Sequence, residues 1–326
     1  MISRKIKSVL AALLCVAITA VGAAAADTSR MQLIPGGVPF GVKLYCEGVL
    51  VVGLADVKSS GTAQSPARDA GIKIKDIITG INGNKIMSVD EVVDAISGSG
   101  GQPLTFTLKR GEGEITVDLT PVASDEDGKY KTGLWIRDST AGIGTVTFID
   151  PETGSFAGLG HGICDADTGE LVPLNRGIVV NVAISGIVKG QPGCPGELKG
   201  YFNSGKIGSL IRNTDCGVYG VFVELPSGAI CDAIPVASAD EVVEGRAELY
   251  CTTDSGGIGR YTVQISNIDH SGREVKNFVV TVTDEALLSK TGGIVQGMWL
   301  RYNRDNTEKS SIESGNFGAD FSFIDE

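Results

Sequence analysis

The chain has 326 residues and a formal net charge of −11, with 45 glycines and 6% aromatic residues. That length allows two domains, and a glycine-rich, aromatic-poor composition favours strands and turns over a helical bundle. The acidic balance argues against nucleic acid as a partner, because phosphate binding needs a concentrated basic face and no Lys/Arg run lies beyond the extreme N-terminus.

The first segment reads as a targeting signal. Arg4, Lys5 and Lys7 precede the apolar stretch Val9–Val21, and small residues follow from Gly22 to Ala26. Ala24-Ala25-Ala26 offers a cleavage site before Asp27, so residues 1–26 are a signal peptide or, if uncut, a signal anchor. Either way the rest of the chain is expected outside the cytoplasm, secreted or membrane-anchored. Beyond the leader stand Cys46, Cys164, Cys194, Cys216, Cys231 and Cys251. An even number in an exported protein permits disulfides, with buried thiols as the alternative. Their spacing is irregular and contains no C-x-x-C, so neither a metal nor any other cofactor is implied.

From Pro35 the pattern is strands and turns. Phe40–Leu44 alternates, Gly48 interrupts, and Val49–Leu54 is a continuous apolar run suited to a buried strand. A short helix is predicted after Ser65, with Pro66 in its first turn and Gly71 at its end. Asp76–Ile81 is a strand, and Asn82-Gly83 is a tight-turn signal. Ser88 caps a predicted helix whose apolar residues Val89, Val92, Val93 and Ile96 fall on one face. Leu104–Leu108 and Ile115–Leu119 form a hairpin. This order, with the run Ala67–Gly83 (A-x-x-A-G-I-x-x-x-D-I-I-x-x-I-N-G), resembles a PDZ domain of the bacterial protease-associated type, expected over 35–122. Such domains bind extended peptides along a sheet edge. The glycine turn before the first core strand, Phe40, Gly41 and Val42, is the expected peptide-binding loop.

Residues 121–135 read as a charged linker. A second domain, expected over 131–298, holds short strands at Gly144–Ile149, Ile178–Ile187, Gly217–Val223, Arg246–Cys251, Tyr261–Ile265 and Asn277–Val282, and a helix over Asp284–Lys290. Many short strands imply a barrel or sandwich. His161 is one of only two histidines and sits between glycines after a strand. Asp284 ends a Val-Thr-Asp strand far downstream. A Ser-His-Asp device needs such a base and carboxylate, plus a nucleophile on a tight turn.

Several stretches here resemble the stage IV sporulation protein B peptidase family: Gly142–Phe148, Leu159–Ile163, Ile187–Gly196, Gly217–Gly220, Val282–Asp284 and Thr291–Met298. The resemblance implies a mainly-β chain, an α+β PDZ domain followed by a chymotrypsin-like β-barrel. It makes His161 and Asp284 the catalytic base and its orienting carboxylate. It also implies regulated endopeptidase cleavage at the forespore membrane, in the intermembrane space, that leads to sigma-factor processing. Its partners are protein or peptide substrates, including membrane-bound regulatory proteins. The family's serine follows Q-G-M, and here that position is Trp299. The residues 299–326 are polar and read as a divergent tail without strand pattern. The barrel is therefore expected to be incomplete at its C-terminus, and the chain to be an exported serine endopeptidase family member that has lost its nucleophile and is active only if another serine is recruited, or else a catalytically inactive peptide-binding protein or a frameshifted or truncated remnant. Asp254-Ser255-Gly256-Gly257 and His270 read as hairpin turns, and Ser310 and Ser311 lack a framing glycine turn, so none replaces the serine.

Overall fold

The runs on either side of Gly48 fold as one long strand. In the computed structural model, which describes residues 30–191, 194, 196–238, 241–253, 257–271, 278–295, 298–303 and 310–311, β1 (Gln32–Pro35) is followed by β2 (Pro39–Leu54). Gly48 lies inside β2 at φ +96°, where a Cβ would meet Ile78 O at 2.6 Å, so only glycine carries the strand past that point. Beyond β2 come the hairpin β3 (Val57–Ser59) and β4 (Thr62–Gln64), α1 (Pro66–Asp69), β5 (Ile77–Ile81), β6 (Asn84–Lys85) and α2 (Val89–Gly98). Ser88 caps α2, as the sequence predicts, and Glu91 makes it a capping box: Ser88 Oγ accepts from Glu91 N at 3.3 Å, and Glu91 Oε2 accepts from Ser88 N at 3.2 Å. The predicted hairpin is β7 (Leu104–Arg110) and β8 (Gly113–Leu119).

A small pair, β9 (Val122–Ala123) and β10 (Tyr130–Lys131), leads into β11 (Leu134–Ile149). Then come β12 (Ser155–Gly158), β13 (Leu174–Val188), β14 (Glu197–Thr214) and β15 (Gly217–Phe222). Antiparallel ladders run in the order β11, β12, β15, β14, β13 and β2, and β2 pairs again with β11. The sheet thus closes on itself as a barrel. Phe40, Val42, Leu44, Val146, Phe156, Val179, Leu210, Val218 and Phe222 fill it. The rings of Phe156 and Phe222 stack at 4.0 Å, and Phe40 meets Phe156 edge-on at 5.5 Å. Gly158 makes room for Phe40, whose ring would lie 2.7 Å from a Cβ there.

The remaining elements are β16 (Ile234–Pro235), β17 (Gly245–Thr252), β18 (Ile258–Ser266), β19 (Val279–Val282), α3 (Glu285–Thr291), β20 (Trp299–Asn303) and β21 (Ser310–Ser311). β16 pairs with β1 in the first sheet, and the other five strands form a second sheet in the order β19-β18-β17-β20-β21. The chain is mainly β, as expected. Two expectations are corrected. The stretch after Met298 does carry strands: Leu300 and Trp299 pair with Leu249 and Tyr250, so β20 covers an edge of β17 that was expected to be bare. The strand-favouring aromatics Trp299 and Tyr302 are the signal for it. The module boundary also moves. Ile34–Cys46 belongs to the barrel core, whereas Val49 and Val51 pack with Ile72, Ile78, Phe106 and Leu108. In return Leu134 and Ile136, from the strand after the linker, pack against that second core.

The leader 1–26 lies outside the described residues, and so do Asp254, Ser255 and Gly256. Among the described residues no helix is long and apolar enough to cross a membrane.

Candidate functional site

β12 delivers His161. Its last residue, Gly158, pairs with Val146 and Val218 on the two sides. Leu159 and Gly160 then turn the chain at φ +75° and +82°. His161 is exposed, and its Nδ1 lies 2.9 Å from Gly162 O. A carbonyl can only accept, so in the neutral ring Nδ1 carries the proton and Nε2 is the basic nitrogen. The loop beyond is pinned by Asn213 on β14: its Oδ1 accepts from Ile163 N at 2.8 Å. Its Nδ2 donates to Ile163 O and Val172 O at 2.8 and 2.9 Å.

Asp284 is placed differently from the sequence expectation. It is the N-cap of α3, and its Oδ1 accepts from Ala286 N and Leu287 N at 3.0 and 3.1 Å. Its Oδ2 accepts from Thr262 N at 3.4 Å. The amides of Ala286 and Leu287 are orphan donors of a helix start, and a short aspartate satisfies them well. Among the described residues no hydrogen bond joins His161 to Asp284; the imidazole is oriented by a backbone carbonyl instead.

The two glycine-rich motifs downstream do meet. Gly190 N donates to Thr291 O at 2.8 Å, Gly196 N to Ile294 O at 3.1 Å, and Lys189 Nζ to Ser289 O at 2.7 Å. Gly292, at φ +71°, ends α3 against Gly190, whose carbonyl would lie 2.7 Å from a Cβ there. Gln296 and Gly297 lie outside the described residues, and Trp299 opens β20 in register with Tyr250.

Phe40, Gly41 and Val42 do not form an open loop. Gly142, Ile143 and Gly144 of β11 pair with them on one side. Val179 and Val180 of β13 pair with Val42 and Gly41 on the other. Phe40 and Val42 are buried. A strand with both ladders made and its side chains in the core has nothing left for a peptide, so the peptide-binding assignment to these three residues is withdrawn. The open edge lies elsewhere. Leu134, Trp135 and Ile136 pair with Leu54, Gly53 and Val51 of β2, and among the described residues no strand pairs with their other edge. α2 flanks that edge. Asp138 Oδ2 accepts from Val89 N at 2.9 Å at the start of the helix. Tyr130 packs against Gly101 just beyond its end, where a Cβ would meet the ring at 2.6 Å. Leu134, Ile136 and Val89 are half-buried along this seam, and Val93 is exposed. Gly133, at φ +76°, turns the chain into the strand where a Cβ would strike Ala55 O.

Sequence reasoning missed this edge because residues 131–135 look like the end of a polar linker. It also missed Arg137. That guanidinium donates from Nη1 to Asp165 Oδ2 at 2.6 Å and from Nη2 to Asp167 Oδ2 at 2.8 Å. Among the described residues no cluster of His, Cys, Asp and Glu is arranged to hold a metal ion.

Comparison with known proteins agrees with this layout. The PDZ domain family matches residues 59–110, and the family described as SpoIVB peptidase S55 matches residues 128–299. A protein of Lactococcus lactis named as a zinc metalloprotease is 34% identical over 97 residues, 30% of this chain and 21% of its own length. Zinc metalloprotease RasP of Geobacillus kaustophilus is 35% identical over 68 residues, 21% of this chain and 16% of its own. This chain therefore spans about a fifth of the length of those curated relatives. The crystal structure of the PDZ domain of an SdrC-like protein from Listeria monocytogenes is 28% identical. It covers 28% of this chain and 87% of that one, with a TM-score of 0.23. With every barrel strand except β2, the His161 loop and the docked glycine motifs inside the matched span, which covers more than half of the chain, the chain belongs to the SpoIVB peptidase S55 family.

Proposed function

We propose that this chain is an exported member of the peptidase family that captures extended peptides by strand addition and lacks a nucleophilic serine of its own. The observation that carries the reading is the open edge of Leu134–Ile136 beside α2. An extended peptide laid there gains main-chain hydrogen bonds on one side and apolar contact with the helix on the other. Two further observations support the absence of autonomous cleavage: Asp284 is engaged in capping α3, and Trp299 stands after Gly-Met at the start of a strand. By resemblance its setting is sporulation signalling at the forespore membrane, with membrane-bound regulatory proteins among its partners.

The test uses the full chain and a fluorescein-labelled hexapeptide of alternating Thr and Val with a free carboxyl end. Saturable binding is expected, and it should fall when Leu134 and Ile136 are both changed to Lys. The same peptide with an amidated end reports whether the terminal carboxylate is read. A fluorophosphonate probe should leave the folded chain unlabelled.

One observation favours a second reading. His161 Nδ1 is already held by Gly162 O, which leaves Nε2 basic without Asp284. A serine endopeptidase that recruits its nucleophile from another segment would then be labelled, and His161→Ala would abolish the labelling.

A further inference from the structure

The loop that follows His161 is tied to the peptide edge by buried charge. Asp165 sits at its centre with a side chain only 1% exposed. Its Oδ1 accepts from the amides of Asp167 and Thr168 at 3.1 and 3.0 Å and from the Thr168 hydroxyl at 3.1 Å. Its Oδ2 takes Arg137, whose other nitrogen holds Asp167. Arg137 is the residue next to the open edge Leu134–Ile136, and Asp138, the residue after it, holds the first amide of α2. A second tie crosses the same gap: Lys75, just before β5, reaches Glu170 at 2.5 Å. Burial first, then the nearby Asp138 and Asp165, push the Cys46 thiol up to about 11, against the pull of Arg137.

We propose that Arg137 is a positioning residue that couples peptide addition along Leu134–Ile136 to the setting of the His161 loop, an inference that rests on the peptide-edge reading above. The physical reason is the unequal exposure of the two carboxylates. The Asp167 arm is exposed and contributes little. The Asp165 arm cannot part from Arg137 without stranding a buried carboxylate, so the loop follows the guanidinium rather than detaching from it. A peptide that fixes the backbone of β11 at Leu134–Ile136 thereby fixes the base of the Arg137 side chain, and with it the turn that begins at Asp165, three residues after Gly162. β11 carries the same constraint onward to Val146, the partner of Gly158, from which His161 departs. The coupling is reciprocal: whatever orders the His161 loop strengthens peptide binding by the same factor.

The test reads the ring proton signal of His161 by NMR in the full chain, where the only other histidine is His270. The Thr/Val hexapeptide with a free carboxyl end is titrated in, and its affinity is measured in the same samples. In the wild type, binding is expected to shift the His161 signal and leave that of His270 in place. In Arg137→Gln the peptide still binds, but the His161 shift is at least halved. Asp167→Asn, which keeps the buried pair and so the fold, gives a smaller loss in the same direction. If the peptide binds and His161 does not move, or moves equally in both variants, the coupling is overturned while the peptide edge stands. If the wild-type chain binds no hexapeptide, the edge reading falls and the coupling with it.

Discussion

Arg110 grips Asp76 at two points, with Nε 2.7 Å from Oδ1 and Nη2 2.6 Å from Oδ2, while Nη2 also donates to Gly71 O at 2.8 Å. Asp76 is almost fully buried and also accepts from Lys73 N at 2.8 Å; Arg110 is one-third exposed. The carboxylate raises the guanidinium's pKa, chiefly by hydrogen bonding. Replacing Arg110 with Leu strands a buried carboxylate. A fully buried pair would cost ~3–5 kcal/mol to break, and the exposed side of Arg110 reduces the expected loss to about 2 kcal/mol. Changing Asp76→Leu in the same chain should recover part of it. Urea midpoints of the single and double variants check this.

Asp284 is expected to matter for stability rather than for His161. Asp284→Ala removes a helix cap and should cost about 1 kcal/mol, whereas Asp284→Ser restores most of it, because a serine hydroxyl also caps. Neither should move the His161 ring signal. A His161 shift in Asp284→Ser would mean that the two side chains do communicate.

The cysteines should separate by reactivity. Burial pushes the Cys251 thiol up to about 12, and burial assisted by Asp138 and Asp165 pushes Cys46 to about 11. Only the thiolate attacks an alkylating agent. Iodoacetamide at mild alkaline pH should therefore modify the exposed Cys164, Cys194 and Cys231 and spare Cys46 and Cys251 until the chain is unfolded. Peptide mass mapping reads the pattern directly.

Glu241 sets an acid limit. The Arg30 guanidinium, at 2.8 Å from its Oε1, and the Ser238 amide hold its carboxyl at about 2. The folded value lies below the ordinary glutamate value. Its stabilisation is therefore complete above about pH 4.3 and is lost as pH falls toward the folded value. Thermal melts across that window should show a shallower acid decline in Glu241→Gln than in the wild type.

The sequence made legible those elements whose local chemistry and burial agree. Ser88 and Glu91 fix α2, and the alternation in Leu104–Leu108 and Ile115–Leu119 fixes a hairpin with one face inside. β14 stayed hidden because most of its first ten residues, Glu197–Lys206, are exposed, with apolar Tyr201 and Phe202 adjacent, so no clear period marks them. The start of β11 hid for a related reason: Leu134 and Ile136 are half-buried between Trp135, which is 66% exposed, and Arg137. Phe40–Val42 misled because a glycine between apolar residues reads as a turn. In the fold, Gly41 leaves space for Phe202, whose ring would lie 2.6 Å from a Cβ there. His161 could be singled out from its rarity and its glycines. That Gly162 rather than Asp284 orients it could not be, because helix capping and catalytic orientation ask for the same residue type.

The two halves of β2 serve different cores, and β11 repays the loan in the opposite direction. No single cut in the chain releases either module whole. Excising residues 35–122 would take a stave from the barrel, and excising 131–298 would take the strand that borders α2. Calorimetry of the intact chain should accordingly show the two cores melting together, and proteases should find few ways to shed one and leave the other. A deletion that removes either half therefore disturbs both cores, and loss of one is loss of the other.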